Sequence, residues 1–351
     1  MDGWGANTLG QLGDGTNNPS TAPVPVTMLA AAVRTTAAGG GHSLARLDGD
    51  TVQCWGDNSS GQLGDGTNTP SNVPVTVSGL SGVNAVTGGG SHSLALLGDG
   101  TVMAWGDNGF GQLGDGTNNP SNVPVGAGAF PDTVVKVACG GVHSLALLNS
   151  GEVMTWGDNS SGQLGDGTNN PSTVPVTVSG VINAVDIAGG RDHSLAVLAD
   201  GTVLAWGGNG SGQLGDGTNN PSSVPVGVFN LTGVSAVAAG SGGNFSLALL
   251  GDDGTVQAWG DNSGGQLGDA TNNPSNVPVA VQNLASAVLA LAAGSSHSLA
   301  LLSDNTLQAW GDNGFGQLGD GTTSPSNVPV TLSSPNAVIS LAAGDSHSLT
   351  V

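Results

Sequence analysis

The stretch "WGDNSSGQLGDGTNNPSTVPV", Trp156–Val176, decides the fold. It holds two aspartates, three asparagines and two prolines, with a glycine every few residues. Glycine and proline are the poorest helix formers, so no helix runs through it. Its opening Trp-Gly and closing Val-Pro-Val read as the ends of two strands joined by a long polar loop. Nearly the same words recur along the chain. The seven tryptophans, Trp4, Trp55, Trp105, Trp156, Trp206, Trp259 and Trp310, stand 51, 50, 51, 50, 53 and 51 residues apart. A period of this length signals one repeat array rather than several domains.

Working outward, the unit from 181 to 226 reads as four strands. "INAVDIAGG" is a short strand ending in a tight turn, and "HSLAVL" is a second strand of alternating faces. "ADG" is a hairpin turn, since Asp-Gly suits the backbone angles of a two-residue loop. "TVLAWG" returns, the polar loop follows, and "VPV" is confined by its proline to a sheet edge. Apolar spacing is two throughout, never 3.6. Seven four-stranded antiparallel units predict an all-β fold, a seven-bladed β-propeller. The chain begins in mid-repeat, at "MDGWG", and finishes on "GDSHSLTV". Residues 1–26 and 336–351 are therefore expected to share one blade, closing the ring by pairing the two ends. A start inside a repeat also leaves room for a leader or flanking domains.

Composition narrows the function. Four basic residues, Arg34, Arg46, Lys136 and Arg191, face 25 acidic ones, for a net charge of −21. Nucleic acid and anionic membrane both call for a basic footprint, so neither is an expected partner. No stretch of about 18 apolar residues exists to span a bilayer. Cys54 and Cys139 stand where other repeats mostly carry Ala, and read as buried free thiols. The wealth of Gly, Thr, Ser, Asn and Asp with a single Lys resembles bacterial extracellular proteins, so an extracellular or cell-surface site is expected.

The consensus "GGxxHSLALLxDGTVxAWGDNxxGQLGDGT…P…VPV" resembles the repeat of the regulator-of-chromosome-condensation family of seven-bladed propellers. The likeness covers essentially the whole chain. Kelch repeats pair their glycines with Tyr, which is absent here; WD repeats place Asp directly after Trp, where this chain has Gly. The family's founder is an exchange factor for a small GTPase that also binds chromatin, through a β-wedge insertion and a basic tail. Neither feature is found in these repeats, so those activities are not expected. Bacterial relatives of the fold bind proteins, among them the β-lactamase-inhibiting propellers, and the resemblance implies a binding module.

Candidate residues follow from departures and repetitions. The six histidines, His42, His92, His143, His193, His297 and His347, hold one place per repeat, with Phe245 in the seventh. Seven-fold symmetry keeps them apart, so they are read as structural, each bonding the turn beside it. An Asp follows every Gly-Gln-Leu-Gly. Asp caps turns by bonding the backbone two residues on. It is also a calcium ligand, which makes Asp65, Asp115, Asp166 and Asp320 the alternative calcium candidates; no other cofactor is expected. Strand direction gathers the turns before each His and the acidic loops on one face of the ring. Partner contacts are expected there from Arg191, Asp192, Asn244, Phe245 and Asp345, with Phe110 and Phe315 exposed on the loops. The expected function is a non-enzymatic scaffold that binds protein partners or copies of itself. A calcium-dependent adhesive or carbohydrate-binding scaffold is the alternative. A hydrolase or lyase built on one blade-top carboxylate is a third reading, and has no nucleophile–base pair to support it.

Overall fold

The structure, a computed structural model, describes residues 1–251, 253–332 and 338–351. Seven sheets of four antiparallel strands make up the described chain, with no helix among the described residues. One blade is typical: Ala184–Gly189 lines the centre, His193–Leu198 and Val203–Gly207 follow outward, and Ser222–Gly227 forms the rim. The seventh blade is shared. Leu341–Ala343 and His347–Thr350 are its inner strands, and Asp2–Gly5 and Ser20–Pro25 its outer ones. The ring thus closes by pairing the chain's two ends, as the sequence predicts; the boundary expected at residue 336 lies outside the described residues.

One expectation changes. In place of alternating faces in the second strand, His143–Leu148 and Val153–Gly157 are buried at every residue. Blades stack face against face, so both sides of their middle strands are covered, as in sheets packed on both faces. The core is accordingly a set of wedges between blades. Leu94, Leu96 and Leu113 of one blade pack with Val137, Cys139, Ala146 and Trp156 of the next. The Leu of each Gly-Gln-Leu-Gly fills such a wedge, and Leu63, Leu113 and Leu164 are fully buried. Cys54 and Cys139 are buried free thiols whose burial pushes their pKa well above the usual range. At the inner end of the blades the strands enclose a central channel of about 380 Å³.

The glycine after each tryptophan has a packing reason. At Gly56 the backbone is left-handed (φ 105°), and a Cβ there would lie 2.5 Å from the carbonyl of Gly41. The Trp strand passes so close to the turn before His42 that no side chain fits between them.

Candidate functional site

The quoted loop is held by its own side chains. Asn159 Oδ1 accepts from Leu164 N (2.9 Å), while Asn159 Nδ2 donates to Asp166 Oδ1 and to the carbonyls of Thr168 and Asn170. Asp166 Oδ1 also accepts from Thr168 N (2.8 Å) and Thr168 Oγ1 (2.9 Å). Asp65 and Asp115 accept the same three bonds, and so does Asp320. These four carboxylates therefore act as turn caps, the commoner use of Asp in such loops. The second aspartate of the loop is fixed in turn by the glutamine: Gln163 Nε2 donates to Asp158 Oδ2 at 2.8 Å.

The histidines differ from expectation. None bonds its own turn through Nε2. His42 Nε2 instead meets Ser93 Oγ of the next blade at 2.8 Å. Ser93 Oγ donates to the carbonyl of Gln62 (3.0 Å), which also accepts Trp105 Nε1 (2.8 Å). A serine hydroxyl has one proton to give, so the bond from His42 must be donated by Nε2–H. Nδ1 is left as a buried acceptor with no partner, in all six histidines. The clasp recurs at six joints, up to His347 with Ser43. At the seventh, Phe245 leaves Ser298 bonded to the Gln266 carbonyl, with no histidine facing it.

These Ser–His pairs have the residue types of a nucleophile and its base. They are fully buried, and the serine proton is committed to a carbonyl. Burial also holds the histidines at pKa values of about 3 (His42, His143, His347) or about 4 (His92, His193, His297). Their task is to join blades, and it sets a pH dependence. An unfolded histidine titrates near 6.5 and takes up a proton that the folded one refuses. Each therefore contributes stability that is complete above pH 6.5 and is lost as the pH falls toward 3 to 4. His297→Phe copies the natural state of Phe245. It is expected to flatten stability against pH between about 6 and 4.5 by up to ~1.4 kcal/mol per pH unit, one proton's worth. Urea titrations of both chains at several pH values measure it; parallel slopes would refute the buried neutral histidine.

The loop face carries the remaining candidates. Turns from successive blades lace together at its centre: Gly40 N donates to Gly89 O, Gly90 N to Gly141 O and Asp345 N to Gly40 O. The fifth blade departs from the pattern, inserting Ser241 and Gly242 into its turn relative to "GGRDH". The result is a basin of about 470 Å³ walled by Arg191, Asp192, Ser241, Ser295 and Asp345. Ser241 also lines the central channel, so it stands between basin and channel. Arg191 Nε lies 3.4 Å from Asp192 Oδ2. Burial raises the pKa of both Asp192 and Asp345, and Arg191 partly offsets it. The other three basic residues pair elsewhere, Arg34 with Asp48 and Arg46 with Asp50 by a hairpin turn, and Lys136, which lines the central channel, with Asp186.

Arg191 and Asp192, adjacent in the fourth blade's turn, thus meet the distant Asp345 in one basin. Phe315 is half exposed in a neighbouring hollow that shares Asp345, alongside Asp57. Phe110, equally exposed, lines neither hollow. Asn244 is only partly buried, with Oδ1 lacking a partner, and does not wall the basin. Phe245 is a correction: it is fully buried between blades, filling the histidine's place, and offers no surface to a partner. Ser295 was missed by sequence reasoning; its only signal is its position two residues before His297.

A closed ring of seven four-stranded blades, with its irregularities gathered at the centre of one acidic face, defines an all-β propeller. The RCC1-like domain family matches residues 2–350, and the chain belongs to it. The chain is 34% identical over 308 residues to the ultraviolet-B receptor UVR8 of Arabidopsis thaliana, covering 85% of this chain and 69% of the receptor. It is 34% identical over 301 residues to the human E3 ubiquitin-protein ligase HERC2, covering 84% of this chain but only 5% of that ligase. Among solved structures, human WBSCR16 superposes with a TM-score of 0.89 at 27% identity, covering 100% of this chain and 98% of that one. Prp20p from Saccharomyces cerevisiae, described with its binding properties to Gsp1p and histones, shares the fold with a TM-score of 0.88 at 24% identity, covering 99% of this chain and 90% of that one.

Proposed function

We propose that this chain is a non-catalytic binding platform whose loop face holds a positively charged protein partner. One observation carries the reading: every acidic loop opens on the same face, where Arg191 is the single basic residue. Such a field steers cationic surfaces toward the ring and repels nucleic acid and anionic lipid. It also opposes the approach of a second copy through the same face. The family membership is in keeping with this reading, since proteins as different in name as a receptor and a ubiquitin ligase match this chain over most of its length.

The test is binding of a decalysine peptide at low ionic strength, about 20 mM salt, where screening is weak. Two variants remove equal charge from opposite faces. One carries Asp65, Asp115, Asp166 and Asp320 as Asn, the other Asp99, Asp132, Asp200 and Asp304 as Asn. Asn keeps the capping oxygen, so both should fold. Affinity is expected to fall at least about tenfold in the first and no more than about threefold in the second, because close charges outweigh distant ones. Equal losses, or no binding to the unmodified chain, would overturn the platform reading.

A further inference from the structure

We propose that the basin at the centre of the loop face is an anchor site for one cationic side chain, a guanidinium or an ammonium, donated by that basic partner to Asp345 and Asp192. The inference rests on the platform reading and adds where the partner is gripped.

Three independent features converge on this one place in an otherwise repetitive ring. The first is the two-residue insertion, Ser241-Gly242, which lengthens the fifth blade's central turn. It reaches across the axis: a Cβ on Gly141 of the third blade would lie 2.9 Å from the carbonyl of Ser241. The second is an unsatisfied acceptor. Asp345 Oδ1 is buried and receives no hydrogen bond. Its cover is two glycines, Gly242 and Gly40; a Cβ on them would stand 2.2 Å from Oδ1 and 3.2 Å from Oδ2. The missing side chain at Gly242, which itself walls the basin, leaves the carboxylate a way in. The third is the charge balance. Two carboxylates face one guanidinium, and that guanidinium is mostly exposed, at 59% of its side chain, with a long 3.4 Å contact to Asp192 alone. Asp158 behind Asp192 and Asp57 beside Asp345 add to the negative surplus.

A buried carboxylate oxygen without a donor is unfavourable, and beside the Arg191 guanidinium, whose contact is to Asp192, the side chains of the walls offer only the hydroxyls of Ser241 and Ser295. An incoming cation corrects both faults, bringing donors to Asp345 and charge to the pair. A guanidinium suits the site better than an ammonium, because its planar fork can reach two carboxylates at once. An anion held by Arg191 is the opposite outcome, and the nearby carboxylates of Asp192 and Asp345 disfavour it.

The probe is a tetra-arginine peptide, titrated calorimetrically into the full chain beside a tetra-glutamate peptide. Asp345→Asn is expected to weaken tetra-arginine binding at least tenfold. Gly242→Ala, which leaves the charge unchanged but fills the approach to Oδ1, should weaken it at least threefold. Asp99→Asn, on the opposite face, should stay within about twofold. If Asp345→Asn does not fold, amide shifts of the unmodified chain decide the matter. Changes centred on Ser241, Ser295 and Asp345 support the anchor, and changes spread evenly round the rim overturn it. Equal effects of Asp345→Asn and Asp99→Asn, or preference for tetra-glutamate, also overturn it. If decalysine binds and the anchor variants make no difference, the anchor falls and the platform stands; if neither cationic peptide binds, both fall.

Discussion

A chain lacking residues 347–351 is expected to lose at least about 10 °C of thermal midpoint, or to fail to fold as a closed ring. The deletion removes the strand His347–Thr350 from between two others, Asp2–Gly5 and Leu341–Ala343. Leu349, fully buried, goes with it, and loss of a buried leucine side chain costs about 2–5 kcal/mol by itself. Both neighbouring blades lose a clasp as well, since His347 Nε2 meets Ser43 Oγ and Ser348 Oγ meets His297 Nε2. Trp4 would keep its bond to the Gln317 carbonyl but lose the strand beside it. Melting followed by tryptophan fluorescence measures the change. A midpoint within about 3 °C of the intact chain would show that pairing of the ends is not what closes the ring.

Gly165→Ala is expected to cost about 2–4 kcal/mol, a large effect for a single added methyl group. Two penalties add at this position. The backbone is left-handed (φ 66°), and an added Cβ would stand 2.7 Å from both Cδ1 and Nε1 of Trp206 in the next blade. The first is worth about 1 kcal/mol for an L-residue, and overpacking a rigid core adds about 1–3 kcal/mol or more. Gly180→Ala separates them. Its φ is similar, 72°, but nothing lies within 4 Å of the added atom. It should cost only the backbone part, about 1 kcal/mol. Urea denaturation of both variants provides the comparison. Equal losses would mean that the indole yields freely, and that the tryptophan joints are looser than their burial implies.

The architecture was legible because each of its determinants repeats. Seven tryptophans at one spacing, proline at each rim strand and Asp-Gly at four of the hairpins all point to the same blade, and the divided ends required the shared one. Pairwise chemistry between repeats was less legible. His42 stands 51 residues from Ser93, and periodicity shows that both positions recur without showing that one reaches the other. The burial of Phe245 was missed for a related reason. A departure from the repeat marks a place where the rule is relaxed, and relaxation occurs in a core as well as on a surface. The basin was half visible: Arg191 and Asp192 on one blade and Asp345 on another were candidates, but their convergence depends on how far the central turns lean inward. Ser295 carried no signal beyond its place two residues before His297, because a serine in a polar turn looks like any other.

The shared blade also imposes a waiting time on synthesis. Asp2–Gly5 and Ser20–Pro25 leave the ribosome ahead of the rest of the ring, yet the strand that pairs with Asp2–Gly5 arrives more than 300 residues later. At roughly 5–20 residues per second, those two strands stand without their inner neighbour for a quarter of a minute to a minute. An unpaired strand exposed that long on a crowded polysome invites pairing with another nascent chain. This one is poorly suited to do so. Pro23 and Pro25 withhold two amide donors from the rim strand, and Gly3 and Gly5 leave Asp2–Gly5 with little apolar surface apart from Trp4. The same residues that end a blade neatly in the finished ring guard its first strands while the rest is still being made.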